Sequence, residues 1–321
     1  MVRLICHFPI LGNISIDIQD NNLGVFTKRQ LTNYIVSETT IDTKGCFVSI
    51  EIENKENIAF DDIIFGREIK FKNNNLNISK NSRIDNINYK YFFDKNIRID
   101  IVFKKKLAYY LKDILNSEYS QIHMLFYKTI LYPIFSLYAL VDNYYLVHGS
   151  LLRLEDKNIV LTGLDGVGKS SLSNELVLNG AKILADNFVL FNGKDFIGLN
   201  MPIRLDLKNE TTKNIIFKDD NLKEVLYNDK ENNQIKVDKI YFLNISNNLK
   251  IEQIDSDIVK LNWNFINNGA SEIMGANSFC LPFLYQNMIN NKQKIDTSIE
   301  YFNFSIPKGK IKEATKELMC L

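Results

Sequence analysis

Residues 158–170, Asn-Ile-Val-Leu-Thr-Gly-Leu-Asp-Gly-Val-Gly-Lys-Ser, constrain this chain more than any other stretch. Residues 159–162 are a short, apolar, β-rich run that suits a buried strand. Residues 163–170 then match G-x-x-x-x-G-K-[ST] at every fixed position. Leu172, Leu176 and Val177 recur at helical spacing, and Gly180 stands where a helix C-cap glycine would. Strand, glycine loop and helix in that order are the frame of a phosphate-binding loop, which a glycine-rich turn with a surface lysine matches less well.

The spacing dictates the chemistry expected there. Gly163, Gly166 and Gly168 let the backbone curl until successive N–H groups point at phosphate oxygens. Leu164, Asp165, Val167 and Ser171 complete the cradle, and a helix starting near Lys169 adds its positive N-terminal end. Lys169 reaches toward β- and γ-phosphates, and the Ser170 hydroxyl suits Mg²⁺. The expected ligand is a nucleoside triphosphate with Mg²⁺.

Composition excludes several other classes. A net charge of +1 over 321 residues offers no general attraction to nucleic acid or to anionic membranes. Cys6, Cys46, Cys280 and Cys320 form no C-x-x-C pair, which fits reduced thiols and a cytoplasmic setting. The N-terminus lacks the apolar run and cleavage site of a signal peptide. Residues 125–141 are apolar enough to require a membrane test, but Lys128 and Pro133 interrupt them. They also fall short of the ~20 residues of a span, so a buried core helix is expected.

Along the rest of the chain, residues 1–104 alternate apolar runs with Asn, Asp and Gly breakers, reading as a half-buried antiparallel sheet. Residues 47–52, 63–65, 89–93 and 97–103 read as strands, and 73–75 and 81–88 as loops. His7 reads as a packed or solvated side chain. Residues 105–141 turn helical with a break near Asn116, Ser117 being an N-cap candidate and His123 a structural residue on the helix. Residues 144–154 form a strand containing His148, and two short strands flank Asp186 and Asn187. A carboxylate at a strand end after such a loop helix suits a metal ligand or base as well as it suits a turn. Asn192-Gly193 marks a hairpin. Arg204 lies in a strand-rich stretch at 195–207, and 209–233 reads as a polar surface excursion or a mobile insertion. A buried strand at 237–245, helices over 255–292, a last strand at 301–307 and a terminal helix at 309–320 complete the chain. The expected domains are a β-rich one over 1–116 and a kinase-like one over 117–321.

His148-Gly149, the glycine loop and Ala185-Asp186 together resemble the catalytic domain of HPr kinase/phosphorylase and its relatives. That resemblance implies an α/β fold (α+β overall): a phosphoenolpyruvate-carboxykinase-like P-loop kinase domain preceded by a smaller β-rich domain. It implies ATP and Mg²⁺ as cofactors, with Lys169 and the loop amides on the phosphates and Ser170 on the metal. Asp186 would be the base toward an acceptor hydroxyl, with His148 beside it and Arg204 a candidate for acceptor or phosphate binding. Two departures shape the reading. Asn187 stands where the family has a second aspartate, able to ligand metal without charge, and the family's downstream glycine-rich segment is missing. The chain is thus more similar to divergent relatives that phosphorylate peptides, some beside peptide-natural-product gene clusters. A serine of a peptide or protein is the expected acceptor, and the β-rich half is expected to hold it or to mediate homo-oligomerisation. A small-molecule kinase and a catalytically inactive nucleotide-regulated binding protein are the competing readings.

Overall fold

In a computed structural model, the residues described are 2–40, 48–53, 69–72, 75–81, 85–93, 96–105, 118–142, 144–164, 166–199, 201–206, 215–218, 222–225, 234–255, 257–259 and 298–320. They form a mixed α/β molecule dominated by sheets. Those up to Asp142 belong to one compact unit, and those from Tyr144 onward belong to a second. The division therefore falls after the helical segment at 118–142 rather than before it.

The first unit carries an eight-stranded sheet in the order β3-β1-β2-β4-β8-β7-β6-β5. Its strands are β1 (Val2–Phe8), β2 (Gly12–Ile18), β3 (Ile35–Thr40), β4 (Val48–Glu53), β5 (Ile69–Lys72), β6 (Asn75–Asn81), β7 (Asp85–Phe93) and β8 (Asn96–Lys105). Antiparallel register lines Leu4, Ile16, Ile50, Ile99 and Tyr91 into one buried row. Because side chains alternate faces along each strand, the row one residue away holds Arg3, Asp17, Ser49 and Asp100. These polar groups satisfy one another. Arg3 grips both Asp17 oxygens at 2.6 Å, and the Ser49 hydroxyl donates to Asp100 at 2.7 Å.

Helix α1 (Asn21–Gln30) starts at Asp20, whose carboxylate accepts from the Leu23 amide at 2.8 Å, and it buries Leu23 and Phe26. Helix α2 (Glu118–Phe126), a π segment (Tyr127–Leu131) and α3 (Tyr132–Asp142) follow one another without a break. The Tyr132 amide bonds Tyr127, one residue wider than helical pairing, and Pro133, which has no amide to donate, comes next. The expected buried helix is seen here: Phe126, Ile130, Leu131, Ile134, Phe135 and Leu137 are fully buried. Among the described residues no helix is long and apolar enough to cross a membrane.

The second unit is built on another eight-stranded sheet. Its path is β13 (Phe196–Gly198), β12 (Phe188–Phe191), β9 (Tyr145–Leu154), β10 (Lys157–Gly163), β17 (Lys239–Ile245), β19 (Glu300–Ile306) and β18 (Lys250–Gln253). β11 (Lys182–Ala185) also pairs with β9. β10, β17 and β19 run parallel, and the other neighbours run antiparallel. Both faces are apolar, as parallel strands require. Val160, Ile240 and Phe242 pack into one layer, while Ile159, Leu161, Tyr241 and Leu243 pack into the other. Helices α4 (Lys169–Leu178) and α5 (Ile311–Met319) cover the second layer with Leu172, Leu176, Ala314 and Leu318.

Three expectations are corrected. Of the loops expected at 73–75 and 81–88, Asn75 and Asn81 are the ends of β6 and residues 85–88 open β7, which pairs with it, while 73, 74 and 82–84 lie outside the described residues. In β7, Asn86 and Asn88 alternate with the buried Ile87 and Tyr89, the period-2 pattern of a paired strand. The surface excursion at 209–233 contains β15 (Ile215–Lys218) and β16 (Leu222–Val225), which join β14 (Ile203–Asp206) in a three-stranded sheet. Within the half expected to be sheet, residues 21–30 form helix α1 instead. The strand at 63–65, the Ser117 cap, the helical reading of 106–117 and that of 260–292 lie outside the described residues.

Candidate functional site

The glycine loop leaves β10 at Gly163 and returns as α4, as strand-loop-helix spacing requires. Gly163 could carry no side chain, since a Cβ there would stand 2.6 Å from the Leu243 carbonyl oxygen of neighbouring β17. Gly166 (φ 77°) and Gly168 (φ 95°) take left-handed backbone open to glycine at no steric cost. Lys169 is only 6% exposed. Its ammonium folds back into the loop, donating to the carbonyls of Gly163 at 3.0 Å and Leu164 at 2.7 Å. Ser170 and Ser171 are exposed in the first turn of α4, where backbone N–H groups have no helical acceptor. Val167 is half-buried, and Asp165 lies outside the described residues.

The second cluster arises where β9 changes partner. One half of β9 pairs with β11 as far as Ala185 opposite Leu151. The other half pairs with β12 starting at Phe188 opposite His148. Asp186 and Asn187 occupy the gap. Asn187 takes a left-handed φ of 71° so that the Phe188 amide can close on the Asp186 carbonyl at 2.9 Å. The Gly149 amide donates to the Asn187 carbonyl at 3.1 Å, which pins the gap to β9. A Cβ on Gly149 would come 2.6 Å from the Leu161 carbonyl oxygen, so this close approach depends on glycine.

In that gap the Ser150 hydroxyl donates to Asp186 Oδ1 at 2.7 Å. Ser150 is buried and Asp186 half-buried, so one carboxylate oxygen is fixed from the protein side. Sequence reading missed Ser150 because its partner is 36 residues away. The adjoining His-Gly was the available signal, since a serine two residues past His148 shares its strand face. His148 is half-buried, with its ring 5.9 Å from that of Phe188. Its carbonyl accepts from the Thr162 hydroxyl at 3.0 Å, which ties β9 to the last turn of strand before the glycine loop.

Register brings the two clusters to one end of the sheet. Thr162, next to Gly163, pairs with Gly149, and Leu161 pairs with Ser150. His148, Ser150 and Leu152 share the β9 face on which Leu152 packs with Leu172 and Leu176 of α4. Asp186, Ser150 and His148 thus adjoin the carboxyl end of β10, the edge of an α/β sheet where ligands bind. Arg204 is not brought to this sheet. It stands on β14, opposite Glu224 of β16.

Among the described residues, no group of three or more His, Cys, Asp or Glu side chains is spaced to hold a metal. Mg²⁺ asks for less than that, because it keeps several waters and takes only one or two protein oxygens beside substrate phosphates. The Ser170 hydroxyl, with Asn187 as a second candidate, fits that demand. The glycine cradle that a Cβ would fill, the buried ammonium and the N-terminal end of α4 fit an anionic phosphate chain.

No family model matches the chain, and no curated protein matches it. Among solved structures it is similar to the HPr(Ser) kinase/phosphatase from Coxiella burnetii. Identity is 13% and the TM-score 0.26, over 55% of this chain and 93% of that one, a distant structural relationship at most.

Proposed function

We propose that this chain is an ATP-dependent, Mg²⁺-requiring kinase of the HPr-kinase-like, phosphoenolpyruvate-carboxykinase-like type. It transfers the γ-phosphoryl group to a hydroxyl, the serine of a peptide or protein being the acceptor we favour. One observation carries the reading: an aspartate fixed by a buried serine hydroxyl adjoins the strand end from which a lysine-bearing glycine loop departs.

Mg²⁺–ATP, when bound, supplies the phosphoryl group and part of the neutralising charge. Lys169 holds the phosphate end by exchanging two neutral carbonyl acceptors for anionic oxygens, a stronger, charge-assisted bond. The first-turn amides of α4 and the loop amides add donors fixed before the phosphates arrive, so little reorganisation opposes binding. Ser170 would hold the metal, and Asn187 would add a neutral oxygen. Asp186 takes the proton from the acceptor hydroxyl as that oxygen bonds to phosphorus and the bond to the leaving ADP oxygen breaks. Ser150 occupies Oδ1, and Oδ2 would serve the acceptor. His148 shares this face of β9 and borders the acceptor position. The first unit is our candidate for acceptor binding or oligomerisation.

Incubation of the protein with γ-labelled ATP and Mg²⁺, with lysate of its own source, tests this directly beside a Lys169→Ala control. Lys169-dependent label on a peptide or protein is expected. Label on a metabolite would make it a small-molecule kinase. Tight ATP binding without transfer would make it a nucleotide-regulated binder, and no ATP binding would overturn the reading.

A further inference from the structure

On the flank of α4 away from Asp186, a groove of about 770 Å³ runs between α4 and α5. Its walls include Ser171, Asn174, Glu175 and Leu178 of α4 and Ile311 and Lys312 of α5. We infer that this groove holds the nucleoside, base and ribose, of the nucleotide whose phosphates occupy the glycine loop. The inference rests on the phosphate site proposed above.

Three features of the fold point to it. The groove starts at Ser171, directly beyond Ser170, and Ile311 Cδ1 lies 3.3 Å from where a Gly168 Cβ would stand. Its upper end is therefore continuous with the loop. Strand order then sets direction. β9, which holds Asp186 through Ser150, lies on one side of β10, while β17 and β19, which pack with Ala314 and Leu318 of α5, lie on the other. A phosphate chain whose transferring end faces Asp186 must leave the loop toward α5. The lining also suits a nucleoside. Leu178 and Ile311 offer apolar contact to a base face, while the Asn174 amide and Glu175 carboxylate can pair with base-edge and ribose groups. The volume lies within the range of small-molecule sites, about 300–1,000 Å³.

The test compares ATP with inorganic tripolyphosphate, which shares the phosphates and lacks the nucleoside. Calorimetric titration of both, with Mg²⁺ present, would be run on the wild type, Asn174→Leu and Leu178→Arg. Leu178 is 54% exposed, so the arginine fills the groove without entering the core. Both variants are expected to weaken ATP by about tenfold or more while tripolyphosphate binds as before, which also shows that each variant is folded. Unchanged ATP affinity in both variants would overturn the groove assignment, as would equal loss of both ligands. Failure of the wild type to bind either ligand would instead defeat the phosphate site, and the groove with it.

Discussion

The two eight-stranded sheets solve the same hydrogen-bonding problem in different ways. The sheet of the first unit is antiparallel throughout, and its regular rows place apolar residues on one face and mutually paired polar ones on the other. Arg3, Asp17, Ser49 and Asp100 are held by one another, so their charge and hydrogen-bonding capacity are already spent. The sheet of the second unit is buried on both faces and interrupted where β9 passes from β11 to β12. At the interruption a carboxylate keeps one oxygen fixed, and the neighbouring parallel strand ends in glycine-built backbone. Regular pairing gives a scaffold, and the irregular place gives the candidate site.

The strongest contrast is in chemical accessibility. Cys6 sits on the sealed face of the first sheet, and burial pushes its thiol up to about 12, whereas Cys320 is exposed. Alkylation near pH 8 should label the exposed Cys320 readily and Cys6 far more slowly, because burial both shields the Cys6 thiol and keeps it protonated. Mass spectrometry of the labelled protein checks this, and equal rates would mean that the face opens. The same burial gives a pH signature. Above about 9 the unfolded chain loses a proton that the folded chain retains up to about 12. The Cys6 contribution to stability is thus whole below that range and declines as pH rises through it.

Next in size is Gly149→Ala. Its Cβ would press on the backbone oxygen of Leu161, so the ladder between β9 and β10 must open. A loss of about 1–3 kcal/mol is expected in thermal or denaturant unfolding. A neutral result would show that the gap at Asp186 needs no such close approach.

Ser150→Ala should lower kcat by about tenfold, leave the KM for ATP unchanged, and be restored largely by Ser150→Thr, which keeps the hydroxyl. A parallel change in KM would make Ser150 a structural residue and no more. The smallest effect belongs to the paired face. Arg3→Met removes an ion pair whose arginine side chain is 39% exposed, and stability should move by less than about 1 kcal/mol with activity untouched.

What could be read from the sequence was what is local in it. The strand, glycine loop and helix at 158–178 lie consecutively, so each signal supports the next. The two short strands around Asp186 announced themselves by apolar runs ending at a carboxylate. Helix α1 escaped notice because its apolar face is narrow, although Asp20 before it and Lys28 and Arg29 at its end are ordinary cap and dipole signals. β6 escaped because its polar residues are tolerated only through pairing with a strand that composition does not reveal, and β15 because its short apolar run stands within a long polar stretch. The Ser150–Asp186 bond and the α4–α5 groove join residues distant in sequence, which no local pattern encodes.

The central claim is that the glycine loop holds the nucleotide while Asp186, at the break in the sheet, carries out transfer. Asp186→Asn, assayed for ATP affinity by calorimetry and for single-turnover phosphoryl transfer, separates the two roles. ATP affinity should stay within about threefold of wild type, and transfer should fall by about a hundredfold or more. Near-normal transfer in that variant would contradict the account.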